Sequence, residues 1–300
     1  MGAAINAIGD AGAALRRNPN VLLGAAGSGL VLFVGLVVAL VPILGGFVYG
    51  IVVVPVALVG LVAMCDAAVE GSTSLGDFTD GIERHGASAV VAYGVWTLLQ
   101  FAVVIALVVV AVLAGVGLFA ASGVASGEPT AGALAGMSAG VALLFLVFFL
   151  VAFVLGVVQQ FLDVAVVLGA DGGLDAVKEA VAVVRDGPLS TLGYLLVRSV
   201  LTFLGALPTV VFAVAAAAVG GASVAAGVGD AAPGAVAAGG VLAAALGVLA
   251  VVLLPLAFAV SFAYHVAYYR RRRPETTGTS DAPSSAPSGR RPDDPQRTTD

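Results

Sequence analysis

The sequence predicts an all-α fold, a polytopic membrane helix bundle, and three observations carry that reading. Of the 300 residues, 60% are hydrophobic and 10% charged, with a mean hydropathy of +1.09. Uninterrupted apolar stretches long enough to cross roughly 30 Å of hydrocarbon, about 20 helical residues, recur along the chain. An apolar, acid and glycine register also returns three times without a gap. With Ile5, Leu75 and Leu174 aligned, equal offsets bring together Ile8, Phe78 and Val177, then the acids Asp10, Asp80 and Glu179, then Gly24, Gly94 and Gly193. Two copies share Arg16 with Arg185 and Pro19 with Pro188. A membrane β-barrel would read as alternating segments of about ten residues, and nothing here alternates.

Each copy reads as a short amphipathic, interfacial helix followed by a hairpin of two membrane-spanning helices. The six expected spans cover approximately 20–41, 46–69, 88–121, 134–168, 189–220 and 234–269, and the three repeats approximately 1–70, 71–169 and 170–269. In the third copy Leu174, Val177, Val181 and Val184 share one helical face. Lys178 and Arg185 border it, where they can snorkel to headgroups, while Asp175, Glu179 and Asp186 point away. Leu75, Phe78 and Ile82 repeat that spacing, and Gly86 and Pro188 mark expected turns into the next spans. The second helices of hairpins one and three also match, Val52-Val53-Val54-Pro55 with Val252-Leu253-Leu254-Pro255. All three hairpins start from the same side, so the units are expected to be parallel around a pseudo-threefold axis along the membrane normal.

Helices in hairpins two and three reach about 30 residues, or roughly 45 Å. They outrun the hydrocarbon, which calls for tilt, kinks at Pro208 and Pro255, or projection beyond the outer surface. Gly132, Gly136 and Gly140 form a run of the small-xxx-small type. It reads as close helix packing; a flexible outer hairpin is the other reading.

Charge sets the expected orientation. The turns at 42–45, 122–133 and 221–233 carry no Lys or Arg, and their only charges are Glu128 and Asp230. On the other side stand Arg16, Arg17, Arg84, Lys178, Arg185, Arg270, Arg271, Arg272, Arg273, Arg290, Arg291 and Arg297. The positive-inside rule therefore puts both termini in the cytoplasm of a cell-membrane protein. Residues 270–300, rich in Pro, Ser, Thr and Asp, read as a disordered cytoplasmic tail. Arg270, Arg271, Arg272 and Arg273 read as the stop-transfer signal, with anionic lipid as an alternative partner. No nucleic-acid partner is expected. The lone Cys65 excludes an internal disulfide, and Asp10 interrupts what would be the core of a cleavable signal peptide.

Catalytic chemistry is not legible. Gly136-Met137-Ser138-Ala139-Gly140 matches the G-x-S-x-G nucleophile elbow, but that elbow needs a strand-to-helix turn and a His partner. Here the Ser is on a helix at the outer side, while His85 and His265 belong to the inner side. No catalytic, cofactor or metal residues are assigned. What remains is a sparse intramembrane polar set: Arg198, Asp163, Gln100, Gln159, Gln160, Asp66 and His265. Arg198 stands roughly 14 Å into its span, a depth at which charged side chains face a bundle interior or water. Two readings stay open for it: a packing residue that pairs with Asp163 or snorkels, or a solute or anion site.

Arg16-Arg17-Asn18-Pro19 before the first span and Gly71-Ser72-Thr73-Ser74-Leu75-Gly76-Asp77-Phe78 after the second resemble uncharacterised multi-pass membrane proteins of haloarchaea. The net charge of −5 suits such a source. A weaker similarity runs to membrane domains fused to bacterial glycerophosphodiesterases, with no phosphodiesterase domain present here. The resemblance brings no catalytic residues. The expectation is a non-enzymatic membrane protein for envelope organisation or scaffolding; the alternative is a small-solute transporter or channel with a polar site near Arg198. The topology has a direct test: cysteines introduced beside Glu128 or Asp230 should label from outside the cell and one near Ala282 should not, and the reverse pattern defeats the orientation.

Overall fold

The computed structural model describes residues 2–42, 44–121, 131–169, 171–225 and 233–273, and no strand occurs among them. Its helices are α1 (Gly2–Arg17), α2 (Val21–Ala39), α3 (Leu44–Val48), α4 (Val54–Glu70), α5 (Leu75–Ala121), α6 (Ala131–Gln159), α7 (Leu162–Leu168), α8 (Gly173–Arg185), α9 (Pro188–Ala225) and α10 (Pro233–Arg272). Among the described residues five helical stretches are long and apolar enough to cross a membrane: Val21–Ala39, Leu44–Glu70, Leu75–Gly117, Ala135–Leu168 and Pro188–Leu207. They fit a membrane-embedded protein. The outer turns at Glu128 and Asp230 and the expected tail from 274 lie outside the described residues.

Between α3 and α4 the chain widens into a π-helix, Tyr49–Val53, where the Val54 N–H reaches back to the Tyr49 carbonyl. Pro55 explains the widening. It has no N–H for the Ile51 carbonyl, and its ring crowds that oxygen, so the helix before it must open or kink. Gly35 of α2 lies so close to Val53 and Tyr49 that a methyl group there would force them aside.

Two elements differ from the sequence expectation. No turn forms at Gly86: α5 runs unbroken for 47 residues, about 70 Å at 1.5 Å per residue. The reason is one residue. Where Pro19 follows α1 and Pro188 follows α8, the equivalent offset from Leu75 holds Ala89, and a glycine alone weakens a helix without stopping it. The expected fourth span, by contrast, breaks. α6 ends at Gln159, Phe161 takes φ −100° and ψ −3°, and its N–H bonds the Val158 carbonyl before α7 restarts.

The short helices meet the bundle through small residues. In α1 the buried stripe is Ala4, Ala7, Ala11 and Ala14, while Ile5 is 63% exposed and Ile8 46%. In α8 it is Gly173, Ala176, Ala180 and Val183, while Leu174 is 57% exposed. Small residues let these helices lie close on the bundle, and the large apolar side chains are left outward.

The core collects at the end of the bundle that carries α1 and α8. There α10 packs on α9, α1, α4 and α2, and α5 packs on α4 and α8. Phe161, Tyr194, Tyr264, Tyr268 and Tyr269 are fully buried together. At the opposite end, among the described residues, no atom lies within 4 Å of a methyl placed on Gly115, Gly117, Gly132 or Gly136. Gly132 and Gly136 of the glycine run therefore make no close helix contact among the described residues.

Two short sequence motifs lock to each other at the packed end. The Asn18 side-chain amide donates to the carbonyls of Ala68 (3.1 Å) and Gly71 (3.0 Å), and its Oδ1 accepts the Thr73 N–H at 3.2 Å. Asn20 donates to the Thr73 carbonyl. On the far side of this turn the Asp77 carboxylate accepts the Ser74 N–H at 2.7 Å and the Thr73 hydroxyl at 3.1 Å. This is half of a capping box at the start of α5. Asn18→Ala should strand these backbone groups and destabilise the protein by about 2–3 kcal/mol, against less than about 1 kcal/mol for Asn20→Ala. Melting in detergent checks it: equal effects would refute the clasp.

Candidate functional site

The break after α6 decides where the polar side chains meet. It turns Gln160 and Asp163 inward at the level where α9 brings Tyr194 and Arg198 and α10 brings His265. Tyr194 and Arg198 are four residues apart, so they share one helical face. Arg198 Nη1 donates to the Tyr194 hydroxyl in a very short contact, and more weakly to Gln160 Oε1 at 3.4 Å. The Tyr194 hydroxyl lies 2.6 Å from His265 Nδ1, and His265 Nε2 lies 3.2 Å from Asp163 Oδ1. Asp163 also accepts the Val164 N–H at 2.9 Å.

The donors and acceptors assign the histidine tautomer. Arg198 can only donate, so the tyrosine oxygen accepts from it and the tyrosine O–H points to Nδ1. His265 then carries its proton on Nε2 and gives it to Asp163. The result is one polarised chain, Arg198 to Tyr194 to His265 to Asp163, from a cation to an anion. Asp163 is 2% exposed and His265 0%. Phe161 closes the chain against Tyr194 (ring centroids 5.0 Å apart) and His265 (5.5 Å).

Arg198 forms the open end of this chain. Its guanidinium carbon stands 5.5 Å from the Phe262 ring centre and 5.8 Å from that of Tyr194, within cation–π reach. It also lines a cleft of about 510 Å³ bounded by Leu32, Val54 and Leu58 on one side and by Thr202, Leu254 and Phe258 on the other. Both hydrogen bonds seen for the guanidinium leave from Nη1 and end on neutral groups.

The remaining candidates lie apart. Gln100 donates to Gln159 at 2.9 Å, and the pair sits between two open clefts of about 310 and 280 Å³ that share no lining residue with the Arg198 cleft. The sequence reading let Arg198 pair with Asp163 or snorkel; its hydrogen-bond partners among the described residues are Tyr194 and Gln160. Asp66 belongs to the end of the bundle, where it pairs with Arg270 at 2.5 Å beside Glu70 at 2.6 Å. Arg271 pairs with Asp10 at 2.7 Å, Arg273 approaches Glu179 at 3.5 Å, and Tyr269 donates to Glu179 at 2.6 Å. Arg272 lies against Gly187. These arginines thus engage two of the three acids of the repeated register, Asp10 and Glu179.

Tyr194 is the residue that sequence reasoning missed. Its only signal was its place one turn before Arg198, and a tyrosine among leucines and valines carries no mark of being a bridge.

Removing one member of the sealed chain should unbalance the rest. His265→Leu leaves Asp163 buried without its main partner and should cost about 3–5 kcal/mol, whereas Asp163→Asn in the same background should recover about 1–3 kcal/mol of it. A double-mutant cycle on thermal melting measures the coupling, and additive effects would refute the chain.

No curated protein and no solved structure matches the chain. Residues 3–271 match a domain of unknown function (DUF7847), which takes in the whole polar chain and the arginine cluster up to Arg271, and the protein belongs to that family.

Proposed function

We propose that the protein is a six-span cell-membrane protein that holds or passes a small anionic solute at Arg198, and that it is not an enzyme. In this reading α10 is the sixth span, the units 1–70, 71–169 and 170–269 are parallel hairpin repeats, and both termini and the tail from 270 are cytoplasmic. The acidic composition fits a haloarchaeal source. α1 and α8 lie at the membrane interface, with Ile5, Ile8 and Leu174 towards lipid.

One observation carries the functional reading. A guanidinium with no carboxylate in its hydrogen-bond set among the described residues lines a cleft of about 510 Å³, inside the range of about 300–1,000 Å³ common for small-molecule sites. The non-enzymatic reading rests on His265. Both of its ring nitrogens are engaged and none of its surface is exposed, so the group best suited to proton transfer does not reach the cleft. An anionic lipid at Arg270, Arg271, Arg272 and Arg273 would share those guanidinium groups with Asp66, Glu70, Asp10 and Glu179.

The scaffold reading has an observation of its own. Large apolar side chains stand exposed along α5 and α6, among them Leu113, Val116, Phe145 and Phe149, where lipid or another membrane helix would cover them.

Melting of the purified protein across a panel of anions separates the two readings. At least one anion should raise the melting temperature of the wild type by several degrees and leave Arg198→Gln unmoved. No shift with any anion would defeat the solute reading and favour the scaffold.

A further inference from the structure

We propose that the occupant of the Arg198 cleft is a membrane-resident, single-chain carboxylate, with its head on the guanidinium and its tail along the cleft walls. The proposal rests on the reading of this cleft as an anion site and names the class of anion.

The lining argues for an amphiphile. Among the described residues the polar side chains that line the cleft besides Arg198 are those of Tyr49, Thr202 and Ser261, and the rest are apolar. A small anion would gain contacts only at the guanidinium and none from the apolar side chains along most of this surface, so it would bind more weakly than an amphiphile. The tail of a long-chain anion is already dehydrated in the bilayer. Leu32, Val54, Leu58, Leu254 and Phe258 offer that tail a surface like lipid.

The head argues for a monoanion. Among the described residues Arg198 is the one cation that lines the cleft, so the second negative charge of a phosphate would find no counter-charge there. The guanidinium fork matches a planar carboxylate in two parallel hydrogen bonds. The Thr202 and Ser261 hydroxyls are further donors on the α9 and α10 walls.

These terms act on different quantities. The tail moves between two apolar surroundings, bilayer and cleft, and contributes little selectivity. The head moves from the interface to a charge-assisted pair, which favours the carboxylate over an uncharged head by about tenfold or more. Head charge at constant tail is therefore the readout.

The test uses the full chain in nanodiscs of zwitterionic lipid and two probes with identical long alkyl chains carrying a mid-chain photoreactive diazirine, one a carboxylate and one an alcohol. The carboxylate should label peptides holding Leu58, Leu254 or Phe258 about tenfold more than the alcohol, and Arg198→Gln should equalise them. Because that variant could fold poorly, Ala206→Phe provides a second arm: it puts bulk into the cleft and leaves Arg198 in place. Ala206→Phe should abolish the cleft labelling while a short-chain carboxylate, acetate, still shifts melting. Equal labelling by the two probes in the wild type, or labelling spread over the exposed faces of α5 and α6, overturns the lipid proposal. If acetate or phosphate then still shifts the melting of the wild type but not of Arg198→Gln, the anion site stands and only its occupant was misassigned; if neither does, the anion site falls too.

Discussion

A carboxylate and a guanidinium inside a helix bundle must have their charge answered locally, and in this protein the answer is a relay of hydrogen bonds rather than a contact. Tyr194 and His265 stand between Arg198 and Asp163, each accepting from one side and donating to the other. Taking an ion out of water carries a penalty of several kcal/mol, offset only when its lone pairs and protons are satisfied. The chain needs contributions from α7, α9 and α10 at once. Those three helices are accordingly held at a common level, and the aromatic core of Phe161, Tyr264, Tyr268 and Tyr269 fills in around them.

The helix break at Gln160 and Phe161 belongs to the same constraint. A continuous helix through 168 would keep every carbonyl bonded, but it would fix Gln159, Gln160 and Asp163 in a helical 100° progression. Interrupting it lets Gln159 meet Gln100 while Gln160 and Asp163 turn towards α9 and α10. Irregular backbone at membrane depth is tolerated where protein surrounds it, and Phe161 is wholly buried here.

The packed end is further tied by contacts distant in sequence. Asn18 clasps the turn after α4, and the arginines that close α10 hold carboxylates on α1, α4 and α8. Isolated surface ion pairs contribute little, but this group joins four helices at one end. The apolar residues of α1 and α8 are then free to face outward, since alanine stripes make the helix contacts.

By itself the sequence determined the all-helical class and the stretches that can cross a membrane, because about 20 consecutive apolar residues admit few other solutions and the periodicity is local. It also singled out Arg198, Asp163 and His265, since charge among valines and leucines is conspicuous whatever the fold. It did not determine which residues of the short helices touch the bundle: Ala4, Ala7, Ala11 and Ala14 of α1 and Ala176 and Ala180 of α8 do so, because small residues let helices approach closely. The unbroken α5 turned on Ala89 in place of a proline, which the register contained but the wheel did not weigh. The partners of Arg198 were decided by tertiary structure alone. Gln100, Gln159 and Gln160 are chemically alike, and which of them meets a guanidinium depends on a backbone break and on helix crossings that no local pattern encodes.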